Sequence, residues 1–269
     1  MPGAQDKIME KIRVFLSDTQ VLFREGIHFT LSGEDDFEVT GESTNNEEAY
    51  VAIEANPPNI AILSMKNDKL DGSAVTRRIK RNLPSVSIIL VSDSEDAEQL
   101  FAAMKSGAAA CITKDTDPNY LLDMLRVIAQ GSQPIIDCLL TPEQASRTLA
   151  EFQDMVTLGE QLDNMLARLS PKEAEILSCI AEGNSLEQAI TKLNTNEGHI
   201  RRQLRSIANK LVANDQAQAL IQVTQQGMPY MMPGRIPNGK LAEYVTKEEF
   251  NEFKDHLMER LKSFIGELV

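Results

Sequence analysis

The sequence predicts an α/β domain with a five-stranded parallel, doubly wound sheet, followed by an all-α region and a terminal amphipathic helix. Short apolar runs alternate with amphipathic segments five times in residues 11–131, which is typical of a parallel sheet covered by helices on both faces. Residues 170–223 instead show only short helical patterns behind capping residues. Residues 246–269 carry one last amphipathic pattern.

Strands and helices are predicted to alternate without a break through the first domain. Each strand is a short run rich in aliphatic residues, and each helix repeats apolar residues at helical spacing. The predicted strands are 12–17, 37–42, 59–64, 86–92 and 109–113, and the predicted helices are 21–33, 46–56, 72–82, 95–107 and 118–131. Open sheets of this kind place ligands and chemistry at the carboxyl ends of their strands.

A linker helix is predicted over residues 141–169, with Thr141 as its capping residue and Pro142 at the first helical position. Its apolar residues follow a coiled-coil-like spacing at Met155, Leu158, Leu162, Met165 and Leu169. The spacing fits a helix packed on its own domain and the seam of a dimer equally well.

Four short helices are predicted in residues 170–223. Ser170 with Glu173, and Ser185 with Gln188, each have the form of a capping box. The helical patterns are KEAEILSCIAEG, LEQAITKLN, EGHIRRQLRSIANKLV and DQAQALIQVTQQ, the third of them capped by Asn196. A short helix, a tight turn and a longer arginine-bearing helix make a helix-turn-helix arrangement.

The end of the chain is predicted to be a flexible linker and a docking helix. Residues 227–240 are rich in Gly, Pro and Met, which indicates a loop. The following helix carries one apolar stripe at Phe250, Phe253, Leu257, Leu261, Phe264 and Leu268. A helix with such a stripe must bury it, either on its own chain or on a second copy.

Composition excludes several classes of protein. Net charge is −13 for the chain, −8 for residues 1–131 and +1 for residues 166–226, so only the last segment is compatible with a nucleic acid. The three cysteines are far apart and have neither metal nor disulfide spacing. No apolar run is long enough for a membrane span, and no catalytic motif occurs. We therefore expect a cytoplasmic protein that is not an enzyme and needs no cofactor or metal.

Two stretches resemble response regulators of the NarL/LuxR type. IRVFLSDTQVLFREG resembles the opening strand, acidic turn and first helix of their receiver domain, which has a flavodoxin-like fold. LSPKEAEILSCIAEGNSLEQAITKLNTNEGHIRRQLRSIANKLV resembles their DNA-binding module almost end to end. The resemblance covers residues 11–222 and implies a receiver in residues 11–131, a LuxR-type helix-turn-helix domain in residues 170–223, and control of transcription.

The resemblance also implies a phosphorylation pocket, and this sequence departs from it. In such a pocket a carboxylate accepts the phosphoryl group and Mg²⁺ is held mainly by carboxylates. Asp18 and Thr19 occupy the turn where the family has two acids, and Ser64 occupies the acceptor position. Ser92 keeps the hydroxyl position and Lys114 keeps the lysine. With two of three carboxylates absent, we expect a degenerate pocket that is not phosphorylated on aspartate.

Three alternatives remain open for this pocket. Ser64, Ser92 and Lys114 can hydrogen-bond one another in a permanently set arrangement. Alternatively, the pocket binds a small anion or metabolite beside Lys114. As a third alternative, Asp68, a few residues farther along the loop, serves as a substitute phosphoryl acceptor.

The third predicted helix of residues 170–223 corresponds to the family's recognition helix. Arg201, Arg202 and Arg205 match the positions that face bases, where arginine donates two hydrogen bonds to guanine. His199 and Lys210 lie near enough to contact phosphates.

We therefore expect a DNA-binding transcriptional regulator that binds double-stranded DNA as a dimer, paired through the linker helix, the terminal helix or both. A protein partner or small ligand would act at the receiver. The alternative is a protein-interaction adaptor derived from such a regulator that no longer binds DNA.

Overall fold

The computed structural model describes residues 11–66, 70–157 and 166–225. The linker at 227–240 and the predicted terminal helix at 246–269 lie outside them. Of the described residues, those from 11 to 218 belong to one compact unit. The strands of the first domain are β1 (Ile12–Ser17), β2 (Phe37–Ser43), β3 (Ile60–Ser64), β4 (Ser87–Ser92) and β5 (Ala110–Thr113). The helices between them are α1 (Val21–Ser32), α2 (Asn46–Ala55), α3 (Gly72–Asn82), α4 (Ala97–Ser106) and α5 (Pro118–Ala129).

The sheet has the order β2-β1-β3-β4-β5 with every neighbouring pair parallel, which confirms the predicted fold class. Its central strands are apolar on both faces, since all five residues of β3 are buried. From β1 the chain first adds β2 on one side of β1 and then returns past β1 to add β3, β4 and β5 on the other side. The carboxyl ends of β1, β3, β4 and β5 therefore line one edge, where open sheets form their sites.

Two apolar layers cover the sheet. The layer under α1 and α5 includes Val14, Leu16, Ile62 and Leu125. The opposite layer, under α2, α3 and α4, does not end at the domain boundary. It continues as one cluster of buried residues into the helical region that follows.

The segment after α5 begins with a 3₁₀ helix, Pro134–Leu140, which the sequence did not predict. The Ile135 N–H donates to the Ala109 carbonyl at 2.9 Å and fixes this turn against the start of β5. The linker helix follows as α6, Pro142–Thr157. Residues 158–165 lie outside the description, and residues 166–169 are not helical, so the prediction of a helix as far as 169 was wrong at its end.

The last described helices are α7 (Pro171–Ala181), α8 (Leu186–Lys192) and α9 (Glu197–Gln225). Both predicted capping boxes are present, at Ser170 and at Ser185. Asn196 caps α9, accepting the His199 N–H at 2.9 Å. The apolar residues predicted to face the domain core are fully buried: Ile200, Leu204, Ile207 and Leu211.

The predicted fourth helix does not exist as a separate element, because α9 is continuous for 29 residues. No glycine or proline interrupts the chain between the two predicted helices. The side chain of Asn214 forms two hydrogen bonds with the backbone of Ala167. Its Oδ1 accepts from the N–H at 2.7 Å, and its Nδ2 donates to the carbonyl at 2.9 Å. Asp215 forms an ion pair with Arg77 of α3. Tertiary partners therefore satisfy the polar residues at the point where the fourth helix was predicted to begin.

Glu173 is the most buried acid of the C-terminal helices, with 2% of its surface exposed. It accepts hydrogen bonds from the Ser170 N–H at 2.6 Å, the Ser206 hydroxyl at 2.7 Å and the Lys210 ammonium at 2.6 Å. Burial alone raises the pKa of Glu173, but these three bonds outweigh it and hold the pKa below the ordinary 4.5.

Replacing Glu173 with Gln is expected to lower the free energy of unfolding by roughly 1–3 kcal/mol at neutral pH, because Lys210 and the cap lose a charged acceptor. Since the folded pKa of Glu173 is lowered, its contribution is complete above pH 4.5 and is lost as pH falls through the folded pKa. Urea denaturation between pH 3 and 7 should therefore show the two proteins converging in acid. Glu182→Gln removes an exposed pair with Lys192 and serves as the control that changes little. Equal stability of Glu173→Gln and wild type at pH 7 would contradict this account.

Candidate functional site

The structure brings the predicted pocket residues to one edge of the sheet. Asp18 follows β1, Ser64 and Ser92 are the last residues of β3 and β4, and Lys114 follows β5. Asp18, Ser64 and Ser92 are each 3% exposed. Thr19, the residue that stands where the family has a second acid, is exposed.

Asp18 is the one buried carboxylate that the structure describes at this edge. Its Oδ1 accepts the Gln20 N–H at 2.7 Å. Its Oδ2 lies 3.4 Å from the Lys114 ammonium but accepts no hydrogen bond. The contact is therefore an ion pair without hydrogen-bond geometry, and its stabilisation comes from Coulomb attraction at a site that water scarcely reaches.

Lys114 has a second and closer carboxylate, which sequence reasoning missed. Its ammonium lies 2.8 Å from Oδ1 of Asp93, the residue directly after β4. The hydrogen bond from Lys114 is the main cause that lowers the pKa of Asp93. An acid next to Ser92 was visible in the sequence, but only the fold shows that it faces Lys114.

The two hydroxyls of the pocket are used locally. Ser64 donates to the Lys66 carbonyl at 2.9 Å. The Ser92 hydroxyl lies 2.7 Å from the Ser94 carbonyl and 2.7 Å from Oε1 of Gln99. The prediction that Ser64, Ser92 and Lys114 hydrogen-bond one another was therefore wrong. A serine at a strand end can hydrogen-bond the carbonyl two residues ahead without any tertiary partner. The Lys114 ammonium instead pairs with the carboxylates of Asp18 and Asp93.

Asn46 is a second residue that the sequence did not single out. It is fully buried at the start of α2, and its Nδ2 donates to the carbonyls of Ser64 at 2.9 Å and Leu70 at 3.0 Å. Gly72 permits this closure, since a Cβ there would lie 2.5 Å from the Ser64 carbonyl oxygen. The loop between β3 and α3 is thus tied back to the sheet on both sides of residues 67–69. Asp68, the suggested substitute acceptor, lies outside the described residues.

The described side chains of the pocket are poorly suited to hold a metal ion. Within the part of the chain that the structure describes, no group of three or more His, Cys, Asp or Glu side chains is placed to hold a metal ion. The hollow beside Asp18 is lined mostly by apolar side chains of β1, α1, β3 and β4; its lining includes the cation Arg24 but not Lys114.

The outer face of α9 is the second candidate site. Arg202 and Arg205 are exposed, and neither has an ion-pair partner among the described residues. Arg201 is also exposed but is engaged on both sides. It donates to Glu197 at 2.7 Å and forms an ion pair with Asp137 of the 3₁₀ helix.

The two predicted phosphate contacts are less available. The side chain of His199 is half-buried near the start of α9. Lys210 turns toward the domain interior, where it pairs with the buried Glu173 at 2.6 Å. The structure thus groups the predicted residues on one helix, where Arg201 and Lys210 are paired with acids while Arg202 and Arg205 have no ion-pair partner among the described residues.

Comparisons with known proteins agree with this architecture. Residues 14–126 match the family model of the response regulator receiver domain. The transcriptional regulatory protein DegU of Brevibacillus brevis is 24% identical over 228 residues, 81% of this chain and 94% of DegU. The response regulator protein VraR of Staphylococcus epidermidis is 25% identical over 217 residues, 81% of this chain and 98% of VraR. A solved structure of the RcsB response regulator from Salmonella typhimurium is 26% identical, covers 81% of this chain and 100% of that chain, and has a TM-score of 0.43.

The receiver match and the relatives together span both the sheet and the helices behind it. The chain is thus similar to response regulators over 81% of its length, with the receiver match at residues 14–126. The Mg²⁺ chemistry of family receivers does not fit the side chains of this regulator. Asp18 is the single acid left at the implied carboxylate positions, and its second oxygen faces Lys114 rather than an open coordination site.

The regulator shows no helix that is long and apolar enough to cross a membrane among residues 11–66, 70–157 and 166–225.

Replacing Lys114 with Met is expected to lower the free energy of unfolding by roughly 1–3 kcal/mol, because the buried Asp18 carboxylate loses the ammonium that lies 3.4 Å from its Oδ2. Adding Asp18→Asn to this variant should recover part of the loss, since a neutral amide needs no counter-ion. Urea denaturation of wild type, Lys114→Met, Asp18→Asn and the double variant gives the four stabilities of a double-mutant cycle. Additive effects would show that Asp18 and Lys114 do not interact.

Proposed function

We propose that this regulator binds double-stranded DNA as a dimer to control transcription in the cytoplasm, and that aspartyl phosphorylation does not control its receiver. The observation that carries the DNA-binding part is the pair of exposed arginines, Arg202 and Arg205, on the third helix of a helix-turn-helix.

The geometry of α9 supports contact with a duplex. Ile200, Leu204, Ile207 and Leu211 hold one side of the helix against the domain core. Arg202 and Arg205 lie three residues apart on the outer side, so one groove can receive both. A helix of this width fits the major groove, where arginine distinguishes guanine from the other bases.

Electrostatics favours two copies on one site. Residues 166–226 have a net charge of only +1, and the receiver is acidic. Few phosphates are therefore neutralised by one domain, and its affinity for a duplex is expected to be moderate. Pairing two domains adds their contacts on adjacent half-sites.

The pocket supports the second part of the proposal. Ser64 has no neighbouring base that would make its hydroxyl a nucleophile, and its proton is donated to the Lys66 carbonyl. Lys114 already has two carboxylates, Asp18 and Asp93. An anion that entered beside Lys114 would have to compete with both of them.

An adaptor that does not bind DNA is the second candidate. Two of the five predicted DNA contacts are engaged internally, Arg201 with Asp137 and Lys210 with Glu173. Such pairs reduce the positive potential of α9.

Changing Arg202 and Arg205 together to Ala is expected to weaken DNA binding by about 10- to 100-fold, the loss typical of one good base contact of roughly 1–3 kcal/mol. A genomic DNA fragment that wild type binds is selected first, and the affinity of each protein for that fragment is then measured by fluorescence anisotropy. Arg81→Ala is the matched control, since it removes an exposed arginine of α3 outside the helix-turn-helix. Equal affinity of wild type and the double variant would refute the role of these arginines. No binding by wild type at low salt would favour the adaptor.

Incubation of wild type with Mg²⁺ and acetyl phosphate is expected to leave its intact mass unchanged. The variant Thr19→Asp with Ser64→Asp restores the two missing carboxylates and serves as the positive comparison, expected to gain one phosphoryl group. A phosphorylated wild type would overturn this part of the proposal, and loss of that mass in Asp68→Ala would then identify the acceptor.

A further inference from the structure

Three sulfur-bearing side chains lie together where α4, β5 and the 3₁₀ helix meet. The Cys138 thiol of the 3₁₀ helix donates to the thioether sulfur of Met104 on α4 at 3.6 Å. Cys111 of β5 packs against the same apolar layer. Met104 is buried and both cysteines are half-buried. The two cysteines are far apart in the sequence, so the fold brings them to one place. Met104, Cys111 and Cys138 are here called the sulfur cluster.

The backbone of β5 directs Cys111 toward this cluster. Neighbouring residues of a strand point to opposite faces of a sheet. Ala110 and Ile112 belong to the apolar layer under α1 and α5, so Cys111 faces the opposite layer, to which Met104 belongs. Helix α4 contacts β5, and the 3₁₀ helix contacts both of them. Each of three mutually packed elements therefore contributes one sulfur.

The two thiols are close enough to interact. The bond from the Ile135 N–H to the Ala109 carbonyl holds the start of the 3₁₀ helix beside β5. Residues three apart in a 3₁₀ helix lie above one another, so Cys138 lies one turn along from Ile135, as Cys111 lies two residues along from Ala109. Burial is the main cause that raises the pKa of Cys138 to about 12, and the charges of Asp137 and Cys111 add to it. Each thiol is therefore within the electrostatic reach of the other.

The donor set of the cluster selects a soft cation. Two thiols and a thioether are soft ligands of the kind that select Cu(I), whereas hard cations take oxygen ligands. Zinc sites are built from three or four nitrogen, oxygen or thiolate ligands. Among the described residues, no third His, Cys, Asp or Glu side chain completes such a set around the two cysteines. The cluster therefore suits Cu(I) better than zinc.

The spacing of the sulfurs is close to what a bound ion needs. A metal–thiolate bond of about 2.3 Å places two sulfurs of a three-coordinate ion roughly 4 Å apart. The sulfurs of Cys138 and Met104 are 3.6 Å apart, so they would move by only about 0.4 Å. Methionine adapts readily to such a change, because its side chain has three rotatable bonds and a polarisable sulfur.

We propose that Met104, Cys111 and Cys138 form a binding site for one Cu(I) ion. Each cysteine that binds releases its proton to water, so its S–H bond breaks as its S–Cu bond forms, and the oxidation state of copper does not change. The ion would replace the weak hydrogen bond between Cys138 and Met104 and would join three elements through bonds to one atom. The site is independent of the proposed function, because none of its residues belongs to the helix-turn-helix.

Titration of the reduced full chain with Cu(I) tests this site, in competition with a chromogenic Cu(I) chelator and without oxygen. Wild type should bind one ion and develop an ultraviolet charge-transfer band from thiolate to copper. Cys111→Ser and Cys138→Ser should each lower the affinity roughly 100-fold or more, since even the loss of an outer-shell partner typically costs 10- to 100-fold.

The dependence of binding on pH gives a second readout. Both thiols are protonated at neutral pH, so each one that binds must release a proton. The logarithm of the affinity should therefore rise by up to about two for each pH unit in wild type and by about one in either serine variant. Thioether ligands alone would give an affinity that does not change with pH.

Two further variants make the test specific. Met104→Leu keeps an apolar side chain of similar volume and removes the thioether, so it should weaken binding by roughly 10-fold without disturbing the fold. It also provides the measurement if a serine variant misfolds, which circular dichroism of the metal-free proteins would show. Cys179→Ala removes the third cysteine, on α7, and should bind Cu(I) as wild type does.

Failure of wild type to bind Cu(I) would overturn the proposal. Binding that is unchanged in Cys111→Ser, Cys138→Ser or Met104→Leu would overturn the assignment of these ligands. An affinity independent of pH, an equal affinity for Zn²⁺, or an equal loss in Cys179→Ala would each contradict it as well.

Discussion

Burial of one continuous apolar cluster is the constraint on which the rest of the structure depends. It begins on the sheet face under α3 and α4, with residues such as Leu63 and Leu90, and continues through Leu139 of the 3₁₀ helix and Phe152 of α6. It ends in the C-terminal helices around Leu204. Because such a core is close-packed, its parts cannot slide independently. The receiver and the helix-turn-helix therefore share their packing, and separating them would expose apolar surface to water.

Polar contacts fix the register of this shared core. On its rim, α4 is joined to α6 by the pair of Lys105 with Glu151, and α3 is joined to α9 by Arg77 with Asp215. The Ser92 hydroxyl contacts Gln99 at the start of α4. The pocket is thus connected to the helix that carries the interdomain pairs, even though its own lysine is neutralised by Asp18 and Asp93.

The sequence predicted the sheet and its helices closely because apolar period and capping residues are local signals. It also placed Asp18, Ser64, Ser92 and Lys114 at one sheet edge, since strand ends meet there. What it missed depends on tertiary contacts. Asp93 faces Lys114 only through the pairing of β4 with β5, and the break expected before Asp215 disappears because Arg77 and Ala167 satisfy the polar residues there. The 3₁₀ helix has too short a repeat to leave a periodic pattern.

The contact between Asp137 and Arg201 has a consequence for how DNA binding depends on salt. Binding to a duplex releases condensed counterions in proportion to the new contacts between cations and phosphates. A guanidinium that leaves a carboxylate to reach a phosphate exchanges one ion pair for another. Arg201 would then add little to the slope of log affinity against log salt, even if it reached the DNA. The slope would instead depend on cations that have no carboxylate partner in the free protein, such as Arg202 and Arg205. It would therefore reflect the ion pairs of α9 before DNA binds as well as its contacts with DNA afterwards.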